Sequence, residues 1–296
     1  MTVPDGAAAA GDWCSVGADR FVLAEGARWC GERLVFVDLL AGALHACRGA
    51  AHPEGPIGQL RRLGVPLGAV APVAGRPHRW VAAAGTGFAL VGPGTGPPRW
   101  LAKPEEAAGT PMRMNDGACD PAGRFWAGSM AAGGAPGAGS LYRLDPDGSA
   151  HRVLHGLGVP NGPAFTADGT AMYLADSAAR TIRRYPLDPA SGSLGRPRLL
   201  ARFAADEGRP DGMTVDDDGL LWVAVWGAAE VRAYSDAGDL VRRVAVPTPH
   251  VSSVAFGGGR MWVTTARHRL ARPDGTAGAV LGRPTRVTAP PARPYG

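Results

Sequence analysis

The chain has 296 residues, 45% of them hydrophobic, and a formal charge of +5 from 31 basic and 26 acidic side chains. Arginine supplies nearly all the positive charge and is scattered rather than gathered with aromatics into a stripe, which argues against a nucleic-acid partner. No apolar run approaches the ~18 residues of a membrane span, so no membrane partner is expected.

In chain order, MTVPDGAAAAGDWC has neither a basic start nor an apolar stretch of useful length. No secretory leader is expected, and the expected location is the cytoplasm. Cys14, Cys30, Cys47 and Cys119 show no CxxC spacing and are expected as reduced, buried thiols rather than disulfides or zinc ligands. Met1 to Gly11 and Ala289 to Gly296 are expected to be loose tails.

A repeat begins with AEGARWCGERLVFVD, around Glu25 and Phe36. It returns as PLGAVAPVAGRPHRWVAAA around Trp80, RMNDGACDPAGRFWAGS around Trp126, and VPNGPAFTADGTAMYLAD around Tyr173. The clearest copy is RPDGMTVDDDGLLWVAVW, around Asp211 and Trp222, and the last is HVSSVAFGGGRMWVTTA, around Trp262. Each copy reads as a short strand, an Asp/Gly-type turn and an aromatic-centred apolar strand. The aromatics stand 40 to 49 residues apart. A period of about 45 residues with three or four short strands predicts a β-propeller. Six copies, filling about residues 20 to 270, predict one all-β domain, a six-bladed β-propeller with a central channel. Gly 44 and Pro 27 make about a quarter of the chain, and in this reading they serve the turns. Ring closure is open: Trp13 to Leu23 and Gly278 to Val287 compete for the outer strand of the last blade. The linkers Gly92 to Ala108 and Ala131 to Gly139 are candidates to overhang one face.

In a propeller the first strand of each blade lines the channel, so equivalent positions form a ring. Before the repeat glycine, or its equivalent, stand Glu25, Leu67, Asp116, Asn161, Asp211 and Ser252. Carboxylates and amides pointing into one narrow channel suit a hard divalent cation, because like charges otherwise repel. Turn capping by the same residues is the plainer alternative.

The stretches AEGARW, RMNDGACDPAGRFWAGSM, GSLYRLDPDG, VPNGPAFTADGTAMYLADS, RPDGMTVDDDGLLWVAVWG and VSSVAFGG together resemble the SMP-30/gluconolactonase/LRE family, which includes regucalcin and sugar lactonases. The resemblance implies a six-bladed propeller with one divalent cation at the channel mouth, Ca²⁺ foremost, with Mg²⁺, Mn²⁺ or Zn²⁺ as alternatives. It implies Glu25, Asn161 and Asp211 as metal ligands and Arg113 and Asn115 as substrate contacts, with Asp116 mainly structural. It also implies Asp211 as catalytic base: the cation polarises a lactone carbonyl and activates water, and Asp211 accepts the water proton. The expected partner is a small-molecule substrate, and the expected state a monomer or weak homo-oligomer. The chain departs from many relatives where Gly128-Ser129-Met130 is followed by Ala131, Ala132 and Gly133 rather than by acidic residues that contact substrate. That favours, as an alternative, a metal-dependent tailoring enzyme acting on a less polar metabolite. A non-catalytic calcium-binding propeller is the other alternative. His250, just before the sixth copy, is an additional acid/base candidate.

Overall fold

A computed structural model describes residues 12–48 and 56–296. Among them twenty-four strands form six four-stranded sheets and there is no α-helix, hence none that could cross a membrane. The sheets follow one another along the chain as six blades of a β-propeller, at 24–62, 67–102, 112–157, 160–202, 209–245 and 251–284. First strands of neighbouring blades touch around the ring, and Ala24–Cys30 of blade one meets Val251–Gly257 of blade six to close it. Both closure candidates are used. Val280–Pro284 is the third strand of blade six, and Cys14–Ser15 pairs with it as the fourth, Cys14 opposite Gly282. The ring is thus sealed by hydrogen bonds between the two ends of the repeat array.

The six repeat aromatics all lie on second strands: Arg33–Asp38, Arg76–Ala84, Phe125–Ala131, Ala171–Asp176, Leu221–Trp226 and Arg260–Thr265. They are buried between sheets, Trp126 and Trp262 completely. In two blades the turn holds the aromatic directly. Asp120 and Asp216 each accept the indole N–H six residues on, from Trp126 (2.9 Å) and Trp222 (2.7 Å). Each also accepts the backbone N–H four residues on, from Arg124 (3.1 Å) and Leu220 (2.8 Å). One carboxylate therefore sets both the hairpin and its core side chain, which explains the recurrence of Asp-x-x-Gly ahead of the aromatic.

Three expectations change. The C-terminal residues are not a loose tail. They cross the channel mouth opposite the site described below, where Ala292 N–H donates to Trp29 O, Tyr295 N–H to Pro72 O, and Gly296 N–H to Gly123 O. Tyr295 is buried. The tail expected at Met1 to Gly11 lies outside the described residues. Among the cysteines, Cys47 and Cys119 are buried, but Cys14 is exposed on the short closing strand. The linker 92–108 contributes Arg99–Ala102, the outer strand of blade two, rather than a free overhang.

Asp216→Ala strips the partner from two N–H groups, one of them the buried Trp222 indole. At about 1–3 kcal/mol per unsatisfied group, the loss of stability in denaturant unfolding should be about 2–4 kcal/mol. Asp217→Ala, one residue on, removes no such contact and should stay within about 0.5 kcal/mol. Equal effects of the two would contradict the role given to Asp216.

Candidate active site

First strands begin at one mouth of the channel and run toward the other. Most begin with a β-bulge: the register slips between Glu25 and Arg28, Met114 and Gly117, Asn161 and Ala164, and Pro210 and Met213. A bulge leaves a residue unpaired and re-aims its side chain. The glycine directly after Glu25, Asn161 and Asp211 is part of this device. Gly162, after Asn161, has φ +80°, a region that side chains resist. At Gly212, after Asp211, a Cβ would stand 2.7 Å from Ser252 O of the next blade.

The register corrects one expected equivalence. Thr214 faces Trp222, Ala164 faces Tyr173 and Ala118 faces Trp126. Counting back three residues gives Asp211, Asn161 and, in blade three, Asn115 rather than Asp116. Asp116 sits deeper. It accepts hydrogen bonds from Gly117 N (2.8 Å) and Gly162 N (3.1 Å) and pairs with Arg28 at 3.2 Å, a structural role. Leu67 and Ser252 are buried but do not line the site; Ser252 Oγ instead donates to Ala24 O across the closing blades.

Glu25, Arg113, Asn115, Asn161 and Asp211 line one cavity of about 230 Å³. The amides form a chain through it. Arg113 Nη1 donates to Asn115 Oδ1 (2.6 Å), Asn115 Nδ2 donates to Asn161 Oδ1 (2.8 Å), and Asn161 Nδ2 donates to Ser177 Oγ (2.8 Å). This fixes both ends of the Asn161 amide in the cavity that Glu25 and Asp211 also line. The rest of the lining includes the apolar side chains of Leu23, Leu40, Met130, Ala132, Val159 and Trp226. Met130 and Ala132 come from the stretch where the sequence lacks acidic residues.

Glu25 and Asp211 are buried at 6% and 5% exposure, and each has an oxygen with no hydrogen-bond donor, Glu25 Oε2 and Asp211 Oδ1. Burial holds the Glu25 carboxyl well above its ordinary range, with the charges of Asp211 and Asp116 adding to the effect and Arg113 and Arg28 opposing it. Burial, then Asp116, likewise raises Asp211 against the Gly212 amide and Arg113. Two orphaned acidic oxygens and an aligned amide oxygen make an oxygen-only donor set that fits a hard divalent cation. Among the described residues no three His, Cys, Asp or Glu side chains gather to hold a metal, because the third member here is an amide.

His250 does not line the cavity. It stacks on Trp226 at 4.0 Å and hydrogen-bonds through Nδ1 to His268 O. His268 and its neighbour Arg269 line the cavity instead, with Arg209. The repeat pattern missed these residues because two of them sit in a loop after the sixth copy, outside the ring positions.

The sequence pattern of the SMP-30/Gluconolactonase/LRE-like region matches residues 23–267. The chain belongs to this family. An L-arabinolactonase of Azospirillum brasilense is 34% identical over 277 residues, 90% of each chain. The chain spans little more than half the length of other curated relatives that it matches. A pentonolactonase of Haloferax volcanii, for example, is 41% identical over 172 residues, 57% of each chain. Among solved structures, the calcium-binding protein regucalcin of Agrobacterium tumefaciens superposes with a TM-score of 0.86 at 25% identity, covering 95% of this chain and 96% of that one.

The raised carboxyls of this family member fix the sign of a pH effect. Groups with folded-state pKa values above their ordinary ones contribute stability that is complete below the ordinary carboxylate range and is lost as pH rises through the raised values. A cation held by these carboxyls would compete with those protons, so its stabilisation would grow with pH. In chelated protein, added Ca²⁺ should raise Tm more at about pH 8 than at about pH 5. Equal shifts at both pH values, or an unchanged pH dependence in Glu25→Gln/Asp211→Asn, would contradict this assignment.

Proposed function

We propose that the chain is a cation-dependent lactonase that opens a cyclic ester with water. The observation that carries the reading is the pair of buried, donor-less oxygens on Glu25 and Asp211, set beside Asn161, Arg113 and Asn115 in one cavity. Glu25, Asn161 and Asp211 would hold one divalent cation, Ca²⁺ foremost. Such a cation, when bound, polarises a carbonyl and lowers the pKa of water.

The chain's own residues do the rest. Asp211 Oδ1, which no donor satisfies, accepts the proton of the attacking water and returns it to the ring oxygen as the ester C–O bond breaks. Arg113, partly buried and anchored on Asn115 Oδ1, orients the substrate with donors that suit hydroxyls or a carboxylate. Asn115 holds Asn161 in place. The apolar part of the lining supports a second reading with the same site, a metabolite less hydroxylated than a simple sugar lactone. The names of the relatives, L-arabinolactonase and pentonolactonase, support hydrolysis over a purely calcium-binding role.

A lactone panel followed by acid release, with and without EDTA, tests the class: chelator-sensitive turnover is expected, and none with any lactone contradicts it. Asp211→Asn keeps an oxygen ligand but loses the base. Saturated with cation, it should lose about 10²–10⁴ in kcat, and full retention would remove Asp211 from that role. Arg113→Ala should lower kcat/KM by about 10–100-fold, the worth of a hydrogen bond to a charged group, while Tm stays within a few degrees. A collapse of stability instead would make Arg113 structural.

A further inference from the structure

We propose that the cavity takes an anionic lactone, one that carries a carboxylate or phosphate besides its ester, and that Arg209 and Arg269 bind that group together with Arg113. The inference rests on the lactonase reading and narrows its substrate class. Three guanidiniums and two carboxyls, Glu25 and Asp211, line the same cavity. Among the described residues no Asp or Glu oxygen lies within 4.0 Å of any of the three arginines. Elsewhere Arg28, Arg124, Arg143 and Arg232 are paired with Asp116, Asp120, Asp145 and Glu230, while Arg61 and Arg180 donate to backbone carbonyls instead.

With a divalent cation held by Glu25 and Asp211, the two carboxyls are neutralised and the three guanidiniums face the substrate uncompensated. Arg209 and Arg269 are exposed and Arg113 is half-buried. Burial lowers the Arg113 pKa; Glu25 opposes this, and the like charge of Arg269 lowers it further. Arg269 also sits at φ +62°, in the left-handed region. A side chain there costs roughly 1–2 kcal/mol, and such strain persists only where the surroundings impose it. Here the loop is tied down by Arg267 N–H and His268 N–H, both donating to Val22 O. Arg209 enters from blade five, two residues before Asp211, opposite Trp226 in register. A carboxylate or phosphate relieves the repulsion and takes paired donors from guanidinium groups. Hydroxyls alone leave it in place.

The test compares hydrolysis by the cation-loaded protein of three probes: a neutral hexonolactone, the monolactone of the matching aldaric acid with its free carboxylate, and the phosphate ester of the hexonolactone. For at least one anionic probe kcat/KM should exceed that of the neutral probe by about tenfold or more, equivalent to ~1.4 kcal/mol; the faster anion identifies the group. The advantage should shrink as salt rises from about 0.01 M to about 0.15 M and the screening length falls from ~30 to ~8 Å. It should vanish in Arg209→Ala/Arg269→Ala, chiefly through KM. A neutral lactone turned over as well as both anions overturns the inference, as does an anionic preference that survives in the double variant. If no lactone is hydrolysed, the lactonase reading fails separately. Calorimetric titration with inorganic phosphate and with the open-chain aldarate then decides the anion site. Saturable binding lost in the double variant upholds it, and no saturable binding overturns it.

Discussion

Two carboxyl groups buried at one channel mouth with no donor for either orphaned oxygen are the constraint on which the site depends. An unsatisfied buried polar group costs about 1–3 kcal/mol, and more if charged. Only a proton or a cation relieves it without a new donor. The propeller supports the arrangement because six blades converge on one axis and close through strands from both ends of the array. The carboxyls arrive from blades one and five and the amide from blade four.

The local device is the bulge at the start of the first strands. It takes Asn115 and Asp211 out of the ladder and begins just after the paired Glu25 and Asn161, and all four line one space. The following glycines permit either the left-handed backbone, as at Gly162, or the close approach of the next blade, as at Gly212. Asp116, beneath them and paired with Arg28, adds negative field without entering the cavity. The Arg113–Asn115–Asn161–Ser177 hydrogen-bond chain then ties the proposed substrate contact Arg113 to the proposed cation ligand Asn161. Arg113 and Asn161 are thus joined through a single intermediate amide.

The repeat period already specifies the six blades, although only Trp126, Tyr173, Trp222 and Trp262 pack toward the following blade, whereas Phe36 and Trp80 pack toward the preceding one. The family motifs likewise point to Glu25, Asn161, Asp211, Arg113 and Asn115, all of which line the cavity. Sequence spacing failed where it could not see register. Asp116 and Asn115 are adjacent, and only the bulge decides which of them turns inward. The C-terminal residues look like a loose Pro-rich tail because their bonds are all to distant backbone, at Trp29, Pro72 and Gly123. His250 stood beside the sixth copy, yet its ring is occupied by Trp226, and the loop after the next strand brings in His268 and Arg269 instead.

Calorimetric titration of Ca²⁺ into metal-stripped protein, repeated in buffers of different ionisation enthalpy, tests the central claim most directly. Cation binding to carboxyls with raised pKa values displaces whatever protons they hold, so proton release should grow as pH falls. One site per chain with proton release is predicted, lost in Glu25→Gln/Asp211→Asn and kept in His250→Ala. A site that persists in the double variant, or binding without proton release, would contradict the account.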